Sequence, residues 1–101
     1  MKTYFVSFRI ADRGDNGPIY ENLHKAVEEL AGKGPWWFET TSFYLFNSEL
    51  SAVRIAECLK KIIRPSMDIL VVGSLTHKVG AVVGKCDDDD IFTLADFMKK
   101  V

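Results

Sequence analysis

Along residues 2–10 the apolar side chains Tyr4, Val6, Phe8 and Ile10 fall at every second position, with Phe5, Ser7 and Arg9 between them. A period of two puts one set on each face of a strand. Asp12-Arg13-Gly14-Asp15-Asn16-Gly17 then reads as a loop, and its Arg-Gly-Asp triplet as turn chemistry rather than an adhesion motif. The period next changes to that of a helix. Ile19, Leu23, Ala26 and Leu30 recur with Val27 beside them, Pro18 suits the first turn, and Gly32 and Gly34 stop the run.

Six of the twelve aromatic residues crowd into positions 36–46: Trp36, Trp37, Phe38, Phe43, Tyr44 and Phe46. Broken by Glu39-Thr40-Thr41-Ser42, this stretch predicts two strands joined by a tight turn or kink near Thr40-Thr41. The second helix follows, with Ser51 as its N-cap. Ala52, Ile55, Ala56, Leu59, Ile62 and Ile63 form its apolar stripe. Arg54, Glu57, Lys60, Lys61 and Arg64 face away, and Pro65 ends it. Ile69 to Val72 is a continuous apolar run, which predicts an inner strand covered on both sides.

Residues 77–85, around Val79 and Ala81-Val82-Val83, predict a short further strand that Gly80 and Gly84 weaken. That strand is a candidate to cross a dimer interface. Residues 94–101 predict a short final helix, with Thr93 and Asp96 as a capping box and Phe92 and Phe97 as a hydrophobic staple. The resulting order is βαββαβ: a single α+β domain over residues 1–101, a ferredoxin-like sandwich with a short C-terminal strand and helix. Right-handed crossovers put both main helices on one sheet face. Phe5 and several aromatics of the second and third strands are then candidates for the other face, which needs a cover.

Charge adds little pull toward a polyanion. The chain has 13 Lys+Arg against 14 Asp+Glu, and residues 87–101 alone hold five acids and two lysines. The body is mildly basic and the tail acidic, a weaker footprint than nucleic-acid binders usually carry. Cys58 and Cys86 show neither metal spacing nor a disulfide framework, which points to free thiols and a cytoplasmic setting. The apolar run after Lys2 is interrupted by Arg9, so neither a signal peptide nor a membrane partner is expected.

Candidate chemistry is thin. Asp87 to Asp90 lack the ligand pattern of a calcium loop and read as a solvated turn. His24 lies off the main stripe of the first helix and His77 in a glycine-containing loop, and spacing gives neither a partner. Cys58 flanks the second helix's stripe as a packing residue. No Lys-Ser/Thr follows Gly80 or Gly84, so they form no phosphate loop. The aromatic cluster reads as core and dimer packing in preference to base stacking. For a nucleic-acid partner, the available basic residues are Arg9, Arg13 and Lys33.

Several short motifs together resemble one family. Ser7-Phe8-Arg9-Ile10 resembles its Ser-Tyr-Asp-Leu pattern. The Trp36-Trp37 pair, the Ser42-Phe43-Tyr44-Leu45 strand, the helix start Glu49-Leu50-Ser51-Ala52 and the strand Asp68-Ile69-Leu70-Val71-Val72 continue the likeness. It is to small bacterial and phage proteins labelled "SinR family", similar in fold to the CRISPR-associated Cas-two proteins and VapD toxins. The resemblance implies a ferredoxin-like homodimer. In nuclease members a first-strand Asp lies near the dimer axis, where two carboxylates gather a divalent cation. The matching position here is Arg9, which repels a cation but suits a phosphate.

The reading that follows is a dimeric, non-catalytic interaction module with no cofactor. The alternatives are a Mg²⁺-dependent ribonuclease or nuclease with a shifted site around Ser7, Arg9 and Asp12, and a non-hydrolytic nucleic-acid binder using Arg9 and the aromatic face.

Overall fold

The computed structural model describes all of residues 1–101. The chain runs β1 (Lys2–Arg9), α1 (Gly17–Ala31), β2 (Trp36–Trp37), β3 (Phe43–Ser48), α2 (Ala52–Lys60), β4 (Ile69–Ser74), β5 (Gly80–Gly84), α3 (Asp90–Leu94) and β6 (Met98–Lys100). The strands form one mixed sheet in the order β2-β3-β1-β4-β5-β6. Every neighbouring pair is antiparallel except β5 with β6. The class is therefore α+β, with a six-stranded sheet and three helices.

The alternation of β1 decides where the core lies. Tyr4 and Val6 are fully buried and join a cluster with Leu23 and Val27 of α1 and Ile55, Ala56 and Leu59 of α2. Leu70, Val72, Ala81 and Val83 complete the sheet side of that core. α1 packs over β3, and α2 over β4 and β5. The Ser51 Oγ accepts the Arg54 N–H at 3.2 Å, the expected N-cap. α2 closes before Pro65, because the N–H groups of Ile62 and Ile63 both turn back to the Leu59 carbonyl.

Three expectations are corrected. Residues 80–84 form a well-paired inner strand of the chain's own sheet: β5 pairs with β4, Val71 opposite Val82 and Leu70 opposite Val83, and on its other edge with β6. Its glycines mark close approach rather than weakness. A Cβ at Gly80 would meet the Met98 side chain and the Val72 carbonyl at 2.9 Å, and Gly84, at φ +98°, lies against the Asp68 carbonyl. Second, residues 94–101 are not a helix. α3 ends at Leu94, and Met98–Lys100 add a parallel strand to β5, where Val101 N–H donates to the Val82 carbonyl at 2.9 Å. Sheet pairing outcompetes a helix too short to be stable alone. Thr93 lies inside α3, whose N-cap Asp89 makes no side-chain cap, so no capping box forms. Third, β4 is covered fully on one side only: Leu70 and Val72 are buried, whereas Ile69 and Val71 are half-buried.

The connection from β5 to parallel β6 must cross one sheet face. With α1 and α2 defining right-handed crossovers on the inner face, the same handedness puts residues 85–97 on the outer face. Burial agrees, since the outer-face residue Val82 is buried yet lies outside the core cluster. The C-terminal segment thus covers the β5 end of the outer face and leaves the β3–β1 end open. No helix is long and apolar enough to cross a membrane.

Candidate functional site

The open part of the outer face is built by the odd positions of β1 and their cross-strand neighbours. Phe5 pairs with Leu45 and Gly73, and Ser7 with Phe43 and Val71. The Phe5 and Phe43 rings stack at 6.0 Å with planes 7° apart, and Trp37 meets Phe43 edge-on at 6.2 Å. Gly73 makes room for the Phe5 ring, which a Cβ there would overlap. The other aromatics take the opposite side: Trp36, Tyr44 and Phe46 turn toward the helices. The dense aromatic stretch is therefore divided between two faces by strand alternation.

Ser7 and Arg9 both lie exposed on this outer face. Arg9 stands opposite Ile69, which in turn stands opposite Gly84, so the acidic segment starts beside it. Arg9, Ile69, Lys85, Asp87 and Asp88 surround a shallow cleft of about 380 Å³. Arg9 makes no ion pair with either aspartate, the chain's two ion pairs being Arg54–Glu57 and Arg64–Asp68. Nowhere do three His, Cys, Asp or Glu side chains converge as metal ligands. Within the aspartate run, Asp88 Oδ1 instead accepts the Asp90 N–H at 2.9 Å.

Asp12 and Arg13 are exposed in the β1–α1 loop. The loop is fixed by a pair that spacing did not reveal. Asp68, fully buried, accepts the Ala11 N–H at 2.8 Å, the Arg64 N–H at 2.8 Å and the Arg64 guanidinium at 3.0 and 3.1 Å. The same guanidinium donates to the carbonyls of Ala11 at 2.9 Å and Arg13 at 3.2 Å. A buried carboxylate saturated in this way fastens the α2–β4 turn to the loop after β1. Burial by itself would raise the Asp68 pKa. The Arg64 and backbone hydrogen bonds, with the Arg64 charge, outweigh it and hold the carboxyl below its usual range.

Lys33 does not join the other basic residues. The fifteen residues of α1 carry the chain back along the sheet, about 22 Å at helical rise. Lys33 comes to lie with Met1 and Lys61 on the groove between α1 and α2, at the end opposite Arg9 and Arg13. Cys58 sits in that groove, and both cysteines are free thiols. His77 is exposed in the β4–β5 turn beside Thr76 Oγ1 at 2.9 Å. His24, unassigned from spacing, does have a partner: its Nδ1 lies 3.1 Å from the Tyr44 hydroxyl.

Comparison with known proteins finds no matching family model, no matching curated protein and no matching solved structure. What the chain can do is thus read from its own geometry: a half-open apolar sheet face ending in an exposed arginine.

Proposed function

We propose that this chain is a non-catalytic interaction module that works as a homodimer through its outer sheet face. One observation carries the reading. Phe5, Phe43, Leu45, Trp37 and Val71 form a contiguous apolar surface that no helix covers, whereas α1 and α2 bury the core on the opposite face. Such a surface is costly to leave in water, and a closed two-fold pairing is its commonest cover. The first four strands in chain order, arranged β2-β3-β1-β4 with all neighbours antiparallel, support the ferredoxin-like reading of the architecture. The resemblance to the SinR-labelled family, and through it to Cas-two and VapD proteins, belongs to the same proposal.

Light scattering at micromolar concentration is expected to return twice the 11.4 kDa chain mass. Phe43→Lys, which places a charge in the middle of the face, is expected to shift the protein to monomer while its circular dichroism stays unchanged. A monomeric wild type removes the proposal.

Arg9 argues against metal-assisted hydrolysis at this face. It stands where the resemblance implies a carboxylate, and a guanidinium offers no lone pair to a cation. Incubation with single- and double-stranded RNA and DNA, with Mg²⁺ or Mn²⁺, is expected to leave the strands intact. Metal-dependent cleavage abolished by Asp12→Ala would instead establish a site shifted into the loop. Arg9→Asp, if it gains cleavage, identifies the wild-type position as a vestigial ligand site. Phosphate binding by Arg9 without turnover is compatible with the module and would appear as weak, salt-sensitive retention of RNA or DNA.

A further inference from the structure

On the helix side of the β2–β3 end, two shallow clefts of about 290 and 390 Å³ meet at Tyr20 and Tyr44. The first is walled by aromatic faces and edged by the hydroxyl-bearing segment Thr40-Thr41-Ser42. Its walls are open: Tyr20 is 44 % and Phe38 45 % exposed. Phe8 stacks beneath Tyr44 at 5.9 Å, and Tyr20 leans on Phe8 at 6.2 Å.

The walls are held from behind. The His24 ring packs at 4.8 Å against both Trp36 and the edge of Phe38, while its Nδ1 engages the Tyr44 hydroxyl. Ser42 is the one non-glycine residue with positive φ, at +59°, and its carbonyl accepts the Phe8 N–H at 3.2 Å. A strained residue fixed by a tertiary hydrogen bond is a feature that recurs at ligand-binding edges. The rings are thus preorganised without being filled in.

We propose that this cleft binds a flat, uncharged nitrogen heterocycle of the nucleobase type, stacked between Tyr20 and Phe38. The walls offer π-faces, the chemistry that base rings use. The rim hydroxyls supply both donors and acceptors, which suit the edge of a base and would go unused against an aliphatic chain. No charged residue lines the aromatic cleft. In the adjoining cleft Glu21 and Lys25 oppose each other in sign, so the ring itself is the recognised part. A free nucleoside and an unpaired base of a single strand present the same ring.

The experiment uses Trp37→Phe protein, so that Trp36, 4.6 Å from Phe38, is the only tryptophan emitting. Titrations run with adenosine and uridine, with short single strands of A and of U, and with ribose as the ringless control. Saturable change with a nucleoside and none with ribose is the expected result. Equilibrium dialysis then measures variants. Phe38→Ala is expected to raise Kd by ~5- to 150-fold, the usual effect of removing one stacking ring, and Tyr20→Ala likewise. Tyr20→Phe keeps the ring and is expected to keep the binding, and Lys60→Ala, exposed on α2 and outside both clefts, is expected to change nothing. Tighter binding of the strand than of the nucleoside assigns the source to single-stranded nucleic acid, and binding of the nucleoside alone assigns it to a free metabolite. No saturable change with any base-bearing probe overturns the proposal. So does binding that survives both Phe38→Ala and Tyr20→Ala, or binding that disappears with Lys60→Ala. The dimer stands or falls separately, on mass alone.

Discussion

Leu59→Ala is expected to lower stability by about 2–5 kcal/mol, the range for truncating an enclosed leucine. Leu59 is fully buried on α2, which lies across β4 and β5. Its neighbours Ile55, Ala56 and Ile63 come from the same stripe, and Leu70, Val72 and Val83 from the sheet beneath belong to the same cluster. Close packing leaves a deleted isobutyl group's space largely unfilled, so the cost includes the cavity as well as the lost transfer energy. Lys60→Ala, one residue on and exposed, is expected to change stability by less than about 0.5 kcal/mol. Urea melts of both variants at one protein concentration make the comparison, because any association would itself stabilise the fold. Equal, small effects would mean that α2 buries another face.

Asp68→Ala is expected to cost about 2–4 kcal/mol, since two part-buried backbone donors, the N–H groups of Ala11 and Arg64, and the Arg64 guanidinium lose their acceptor. The same carboxylate gives the fold a specific acid limb. Its folded pKa lies below the ordinary value of about 4, so between the two values the unfolded chain holds a proton that the folded chain does not. Stability therefore rises with pH through that window. The contribution is complete above about pH 5 and is lost as pH falls below about 4 toward the folded value. Wild-type melts at decreasing pH are expected to steepen in that range, and Asp68→Asn is expected to flatten the curve there. An unchanged acid limb in the Asp68→Asn variant would show that other carboxylates carry it.

Displacement of the β1–α1 loop links these effects to the surface. Arg64 reaches across the pair to the carbonyls of Ala11 and Arg13, so freeing Asp68 also frees the segment that bears Asp12 and Arg13. Any contact that a partner makes with this loop is set by a residue that the partner does not touch.

Local pattern was enough for the elements whose period was long and whose burial was one-sided. β1 alternates, the α2 stripe repeats, and Ser51 caps its helix because each of these depends on residues within a turn or two of one another. Their order, strand-helix-strand-strand-helix-strand, followed from the same signals. The division of the aromatics between faces is implicit in alternation, but the kink at residues 38–42 hides the phase, so the pattern alone gives Trp36 and Trp37 no particular side. Three matters belonged to the tertiary structure alone. Met98–Lys100 became a strand because β5 offered unpaired backbone groups, a need that no local propensity encodes. Asp68 found the Ala11 N–H fifty-seven positions away, and His24 found Tyr44 twenty away, because burial forces polar groups to take whichever partners the fold brings near. Lys33 parted from Arg9 and Arg13 for the converse reason. Charges that look close along the sequence are separated by the length of a helix, and the rigid rise of the backbone, not the sign of the side chains, fixes the distance.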